Sequence, residues 1–557
     1  MEPVIHKHTP YSLQPPYGLP SHPSHALSIK STTQIATPLS SFDSRTDRQE
    51  YRELTLDFDL GYDEYQSDEE GETLMSCFGT LSIHSPLIPL KTAQVEVDDH
   101  AHEPNNESEN KRTDLSDTQR RSVLTYAGPK MSDRATQGPD AGPLIDRFSC
   151  LFQDQYDSAT NPKGIVSLGV AENYLMQAEC IKLFESSLQS NFTLLDLSYG
   201  DSLWGSRRIT KALSGFYNDW FNPLQEVKPE HIITGVGCSA VLDQLFYTLM
   251  DEGEAILLAA PYRSRVRLVP VHIPLDECFE PGSLRWFEKR YEELIDLRIK
   301  VRAVIVCNPQ NPLGRTYPRT TLLAYAKFCE ERDLHLVSDE IYAMSVYENT
   351  NFKDALPFTS MMSLDIEKEL GIRFDKARLH IVYGMSKDFC ANGLRVGSLV
   401  SQNNPFLIRV MSNTSMLMKL SSPADIIWSN LLQNKVALTK FITTNCQRLA
   451  EAQAFTRKWF EERGVQVGDS NAGNFIFINL GKSMGFHDAK SEKILFQKLL
   501  DGGVYVAPGS AYHYNVAGWY RVTFSVARDN LLVGLDRIEQ LLNLRRPNFS
   551  KSIKYSI

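Results

Sequence analysis

Leu379-His380-Ile381-Val382-Tyr383-Gly384-Met385-Ser386-Lys387-Asp388 is the stretch on which the reading of this chain turns. Leu379–Tyr383 reads as a short buried strand, and Gly384 punctuates it. A lysine and an aspartate follow at once, and Arg395 lies eight residues past the lysine. Two upstream stretches repeat the pattern of apolar run followed by polar motif. Val301–Val306 leads into Asn308-Pro309-Gln310-Asn311-Pro312-Leu313-Gly314, and Leu334–Val337 leads into Ser338-Asp339-Glu340-Ile341-Tyr342. Each motif alone is weak, because Asn-Pro pairs commonly make turns and most lysines are solvated. Their order on successive strands carries the information.

Working outward, further β-rich runs stand at His231–Val236, Glu254–Ala260, Val266–Ile273 and Gly397–Ser401, with helical patterns such as Ser239–Met250 and Thr320–Arg332 between them. Apolar strands alternating with helices predict an α/β fold with a large, mainly parallel, buried sheet. After Ser421 the texture changes to one long helical stretch, Ala424–Arg463, then strands Asn474–Asn479 and Tyr520–Val526 and a helix Asn530–Arg545. That is a smaller C-terminal α+β domain. The expected organisation is an acidic extension over 1–129, an N-terminal segment with the large domain over 130–420, the small domain over 421–547, and a tail over 548–557.

The 557-residue chain has a formal net charge of -10. Residues 1–130 carry 21 acidic and 11 basic residues, so the rest is neutral. The Pro, Ser, Thr and His content of this extension predicts disorder, since little apolar area offsets its ordering entropy. Its seven histidines (6, 8, 22, 25, 84, 100, 102) are too irregularly spaced for a metal site, and none is expected. No concentrated basic face suggests nucleic acid, and no apolar stretch reaches the roughly 18 residues of a membrane span. Nine scattered cysteines read as free thiols in a reducing compartment. A soluble, cytoplasmic protein is expected.

The motif residues are those a pyridoxal site requires. A carbonyl cofactor needs an amine that can hold it and later move a proton, which Lys387 can do if its pKa is depressed. A buried carboxylate, Asp339, would keep a pyridine nitrogen protonated. Asn311 and Tyr342 could reach a ring hydroxyl. A phosphate needs a helix N-terminus and a cation: Gly237-Cys238-Ser239-Ala240 opens a helix, and Ser386 and Arg395 complete the set. Cys238 itself reads as a small buried residue rather than a reactive thiol.

On these motifs, with Leu168-Gly169-Val170-Ala171-Glu172-Asn173, Pro508-Gly509-Ser510 and Gly518-Trp519-Tyr520-Arg521-Val522, the chain resembles the fold-type-I PLP-dependent transferases. Within them it resembles the 1-aminocyclopropane-1-carboxylate (ACC) synthase branch. The long N-terminus makes it most similar to the animal ACC-synthase-like members. The resemblance covers about Lys130 to Arg545. It implies that the cofactor is pyridoxal 5'-phosphate, with Lys387 as the Schiff-base lysine. It implies that Asp339 pairs with the pyridine nitrogen and that Asn311 and Tyr342 bond the ring oxygen. Cys238, Ser239, Ser386 and Arg395 would then hold the phosphate, Arg521 would grip a substrate α-carboxylate, and Glu172 would lie on the substrate side. It also implies a homodimer acting on a small amino acid.

Three departures bear on activity. The family has a hydroxyl residue where Gly384 stands. The segment after Pro261-Tyr262 is shorter than in the family, so a ring-stacking aromatic is missing or Tyr262 replaces it. A substrate-loop tyrosine is replaced by Leu203, beside Trp204 and Gly205. The expectation is a cofactor-binding homologue with weak or no ACC synthase activity. The alternative is a pseudoenzyme serving as a binding or structural protein.

Overall fold

The computed structural model describes residues 150–258 and 267–544. The acidic extension, Tyr262 and the segment after it lie outside the described residues, as do the N-terminal histidines.

The large sheet has seven strands: β1 (Ile232–Gly235), β2 (Ala255–Leu258), β3 (Arg267–Pro270), β4 (Val301–Cys307), β5 (His335–Asp339), β6 (Leu379–Gly384) and β7 (Gly397–Val400). Their spatial order is β1-β7-β6-β5-β4-β2-β3. All pairs are parallel except the two that involve β7. Because β7 runs against both neighbours, β1 runs with β6. The carboxyl ends of β1, β4, β5 and β6 therefore share one edge of the sheet. The central strands are nearly continuous in Val, Ile and Leu, as strands covered on both faces must be.

Helices cover the faces. α1 (Gln177–Asn191) and α2 (Arg207–Trp220) precede β1, α3 (Cys238–Leu249) follows it, and α4 (Arg319–Glu331) joins β4 to β5. In α2, Ser206 Oγ accepts from Ile209 N at 3.1 Å and caps the first turn. Ile209, Ala212, Leu213, Phe216 and Tyr217 then recur at helical spacing and are buried in the large core. A four-residue helix, α5 (Met385–Asp388), follows β6 directly.

The stretch expected as one helix over 424–463 is two: α6 (Ser422–Gln433) and α7 (Lys435–Glu461). Asn434 breaks it, with φ -86° and ψ 81°, and its side chain accepts from Ala437 N at 3.1 Å to cap α7. An amide that bonds a nearby backbone N–H competes with helix continuation. α6 buries Ile427, Trp428, Leu431 and Leu432 in the large core. α7 spans both cores, with Leu438, Phe441 and Ile442 in the first and Leu449 and Phe460 in the second. The exchange of cores thus falls inside α7 rather than at 421.

The second core backs a four-stranded antiparallel sheet of β8 (Gln466–Val467), β9 (Phe475–Asn479), β10 (Ala507–Pro508) and β11 (Trp519–Thr523), in the order β10-β11-β9-β8. α8 (Arg528–Leu542) packs there too. Leu151, Val166 and Leu168 also join this core, so the N-terminal segment lies with the small domain. Val166–Ser167 pairs in parallel with Val504–Tyr505.

Candidate active site

Lys387 emerges from α5 at the shared edge of the sheet. Its Nζ donates to the Ala171 carbonyl at 2.6 Å. Desolvation, then the nearby Arg521 charge, pulls its amine down to about 8. One strand over, Asp339 ends β5 and is buried, with the Ile341 N–H donating to its Oδ1 at 3.2 Å. Burial pushes this carboxyl up to about 7, and the Lys387 charge counteracts part of that rise. Tyr342 follows on the same loop. It is buried edge-on to Phe475, with ring centroids 5.3 Å apart, and desolvation raises its phenol well above the usual range.

The next strand end brings Asn311. Its Oδ1 accepts from Arg521 Nη1 at 2.8 Å. Arg521 lies in β11, opposite Phe477 in register, and is 5% exposed. Its Nη2 donates to the Gly169 carbonyl at 2.6 Å, and its Nε has no hydrogen-bond partner. The guanidinium packs over Phe475 at 4.7 Å and Tyr512 at 4.8 Å. No carboxylate pairs with it among the described residues, which is unusual for a buried arginine. Glu172 completes this side. Its carboxylate accepts from Tyr174 OH at 2.9 Å and from Asn392 Nδ2 at 3.4 Å, and it favours the charged form of Lys387.

At the end of β1, Gly237 has φ 92° and precedes α3. A Cβ here would lie 2.3 Å from an Arg395 guanidinium nitrogen, so only glycine lets that cation approach the helix start. Arg395 Nη1 donates to the Asn392 carbonyl at 2.9 Å and reaches Ser386 Oγ at 3.5 Å. Cys238 and Ser239 form the first turn of α3, where backbone N–H groups lack helical partners. Cys238 is desolvated, its thiol raised well above the usual range, and Ser239 is exposed. Gly384 faces this corner, and a Cβ there would meet the Val396 carbonyl at 2.5 Å and Cys238 Sγ at 2.8 Å. The space a hydroxyl side chain would need is already filled.

Of the residues singled out from the sequence, all but Tyr262 are among the described residues; Arg521, Glu172, Arg395 and Cys238 lie close enough to Lys387 for their charges to act on it, and Asp339 acts on Cys238 in the same way. Sequence reasoning passed over the strap Leu168–Tyr174 as a source of backbone acceptors, and over Tyr512. Carbonyl contacts leave no residue-type signal, so only a folded chain shows them. The donor set suits a molecule with an aldehyde, a basic ring nitrogen and a phosphate. It offers a depressed lysine, a buried carboxylate raised by desolvation, and an arginine at a helix start. The unpaired Arg521 suits a second carboxylate-bearing molecule.

Comparison with known proteins bears on the family and the fold. The pattern that defines "Aminotransferase class I and II" matches residues 198–538. Aminotransferase verI of Clonostachys rogersoniana is 31% identical over 391 residues, covering 68% of this chain and 87% of the relative. 1-Aminocyclopropane-1-carboxylate synthase 3 of Solanum lycopersicum is 29% identical over 423 residues, covering 71% and 87%. Among solved structures, a mutant aspartate aminotransferase of Thermus thermophilus superposes with a TM-score of 0.58 at 20% identity, covering 74% of this chain and all of that one. A fold-type-I architecture, a family pattern over more than half the chain, and a lysine-carboxylate-arginine cleft to match make one conclusion: the chain belongs to the class I and II aminotransferase family, whose cofactor is pyridoxal 5'-phosphate.

Proposed function

We propose that this protein holds pyridoxal phosphate on Lys387 and acts on the α-amino group of a small amino acid, with little or no ACC synthase activity. The observation that carries the reading is Arg521. A buried guanidinium that, among the described residues, pairs with no carboxylate and bonds Asn311 and a backbone carbonyl has an edge to offer an α-carboxylate. It also lies close enough to Lys387 to depress the amine.

Bound pyridoxal phosphate supplies an electron sink for charge that develops at the amino acid's Cα. The chain's residues do the rest. Lys387 Nζ holds the cofactor in the resting protein and carries the Cα proton during turnover, which a pKa near ambient pH suits. Asp339 keeps the ring nitrogen protonated, and Asn311 and Tyr342 bond the ring oxygen. Arg395, Ser386, Ser239 and the start of α3 at Cys238 hold the phosphate. Arg521 orients the substrate, and Glu172 borders it.

Weak ACC synthase activity follows from the changes at Gly384 and Leu203. A lost hydrogen bond costs roughly 0.5–3 kcal/mol, and misplacement of about 1 Å can cost about a hundredfold in rate. Both losses fall on orientation, whereas attachment to Lys387 is unaffected. The long N-terminus supports placement with the animal ACC-synthase-like members.

The working unit proposed is a cytoplasmic homodimer. Leu194, Leu197 and Tyr199 are 87%, 74% and 70% exposed, and Leu203 and Trp204 are exposed as well. So many exposed large apolar side chains within eleven residues favour association. The eight cysteines among the described residues are all free, in keeping with a reducing compartment.

The test is an absorbance spectrum of purified protein before and after borohydride, followed by incubation with S-adenosylmethionine. Wild type should show a reducible cofactor band that Lys387→Ala lacks, and no ACC should form. A wild-type spectrum identical to that of Lys387→Ala refutes cofactor attachment. ACC formation at about 1 per second or faster, an ordinary enzyme rate, refutes the weak-synthase part.

A further inference from the structure

We propose that Asp388 is a positioning residue for Lys387, acting through a closed circuit of buried hydrogen bonds that runs through Asn445 and Asn173. The proposal rests on the reading of Lys387 as the cofactor lysine.

Asp388 is 1% exposed and adjoins that lysine. Its carboxylate accepts from Met344 N at 2.8 Å, from Tyr383 OH at 2.9 Å and from Ser345 Oγ. Met344 and Ser345 belong to the loop that also carries Asp339 and Tyr342, and Tyr383 lies in β6. One side chain therefore pins α5 to both strand ends that frame the cleft.

The circuit continues through the Asp388 backbone. Its carbonyl accepts from Asn445 Nδ2 at 3.3 Å, and Asn445 lies in α7, the helix shared by the two cores. Asn445 Oδ1 accepts from Asn173 Nδ2 at 2.9 Å, and both amides are buried. Asn173 also accepts from Leu175 N at 3.0 Å, which fixes the strap locally. Two residues back along the strap, the Ala171 carbonyl accepts from Lys387 Nζ at 2.6 Å. The path from Lys387 through the strap, Asn173, Asn445 and Asp388 returns to Lys387.

The strap is held in turn by the small domain. Thr523 N donates to the Leu168 carbonyl at 2.7 Å, and Ser525 Oγ to the Glu172 carbonyl at 2.7 Å. Arg521 Nη2 grips Gly169 on the same strap. Both ends of the Lys387 side chain are thus referenced to elements that also position the substrate arginine. Buried polar groups satisfied at every member rigidify a site, whereas partial satisfaction loosens it. Among the described residues, the Asn445 and Asn173 amides hydrogen-bond each other, the Asp388 carbonyl and Leu175 N, and no side chain assigned to cofactor or substrate.

The test compares holoprotein variants by three readouts: melting temperature, circular dichroism of the cofactor band per bound cofactor, and the rate of cofactor release. Asp388→Asn replaces an acceptor oxygen with an amide NH2 and turns a donor toward a cluster of donors. It is expected to at least halve the dichroism per bound cofactor and to speed release at least tenfold. Asn445→Leu should change both in the same direction. Ser345→Ala should do so more weakly, and Ser345→Thr, which keeps the hydroxyl, should behave as wild type. If Asp388→Asn fails to fold, the Ser345 pair decides: equal dichroism and release in the Ala and Thr variants overturn the proposal. Variants that only melt earlier, with wild-type dichroism and release, assign Asp388 a structural role and overturn it as well. A wild type without a cofactor band overturns the functional reading and this inference together, whereas a wild-type band with unchanged variants overturns this inference alone.

Discussion

Lys387 is set apart from a surface lysine by its surroundings, and the consequence is measurable. Its amine is held down to about 8, first by desolvation and then by Arg521. Only the neutral amine attacks an aldehyde. Capture of pyridoxal phosphate by the apoprotein should therefore accelerate about tenfold per pH unit and level off near 8. Arg521→Gln removes a neighbouring cation and should move that levelling-off point to higher pH. Stopped-flow absorbance reads both, and a rate independent of pH between about 6 and 9 would contradict the assignment. Gly384 makes a second residue-scale case. Restoring the family's hydroxyl with Gly384→Ser puts a Cβ against the Val396 carbonyl and Cys238 Sγ. Overpacking of this kind costs about 1–3 kcal/mol. The variant should unfold at lower denaturant and retain cofactor less well, and Cys238→Ala should relieve it only in part, because the carbonyl is backbone. Tighter cofactor binding by Gly384→Ser would show that the corner has room. Lys387, Asp339 and Asn311 could be singled out in the sequence because a pyridoxal site asks for particular residue types at strand ends, whereas Arg521 was named only through the family resemblance. The Gly384–Cys238 exchange was not, since the two positions meet only in the folded chain.

At the scale of elements, β5 and β6 carry chemistry at one end and a different constraint at the other. His335 and His380 stack there with centroids 5.1 Å apart. Nδ1 of His335 lies 2.9 Å from Nε2 of His380, and Nδ1 of His380 lies 3.0 Å from Ser401 Oγ. Desolvation pulls both below the usual imidazole range, His380 well below it. A folded state that disfavours the proton keeps its full stability above the unfolded pKa of about 6.5 and loses it as the pH falls further. The melting temperature should therefore drop below about pH 6.5. His380→Gln, which takes no proton, should melt earlier at neutral pH yet show a flatter acid limb. An acid limb as steep as that of wild type would assign the loss to other groups. The central parallel strands read from the sequence, Val301–Val306, Leu334–Val337 and Leu379–Tyr383, fall within two residues of those observed, because a buried parallel strand is marked by its own apolar run, whereas Val266–Ile273 and Tyr520–Val526 run three residues past the observed ends at Pro270 and Thr523. The break at Asn434 was missed because asparagine is tolerated inside a helix, and its cap to Ala437 is a geometric choice.

For the whole molecule, assembly is the open quantity. The exposed apolar side chains between Leu194 and Trp204 are the surface proposed for the partner. Light scattering at micromolar concentration should give a dimer, and Leu194→Glu with Leu197→Glu should give a monomer that still folds, since both side chains are exposed. A wild-type monomer at that concentration would count against the homodimer. The two cores are joined by α7 and by the strap, so the cleft lies where elements of both meet.

Read alone, the sequence determined the α/β class with a mainly parallel sheet, the lysine, carboxylate and amide at strand ends, and the pyridoxal chemistry these imply. It could do so because burial and catalysis each restrict residue type locally. Only the tertiary structure decided that the strap Leu168–Tyr174 packs with the C-terminal core and that Arg521 pairs with no carboxylate among the described residues. It alone closed the circuit from Asp388 through Asn445 and Asn173 to Lys387. Those facts join positions far apart in the chain through backbone carbonyls and buried amides, and such contacts are set by packing geometry rather than by the pattern of residues along the chain.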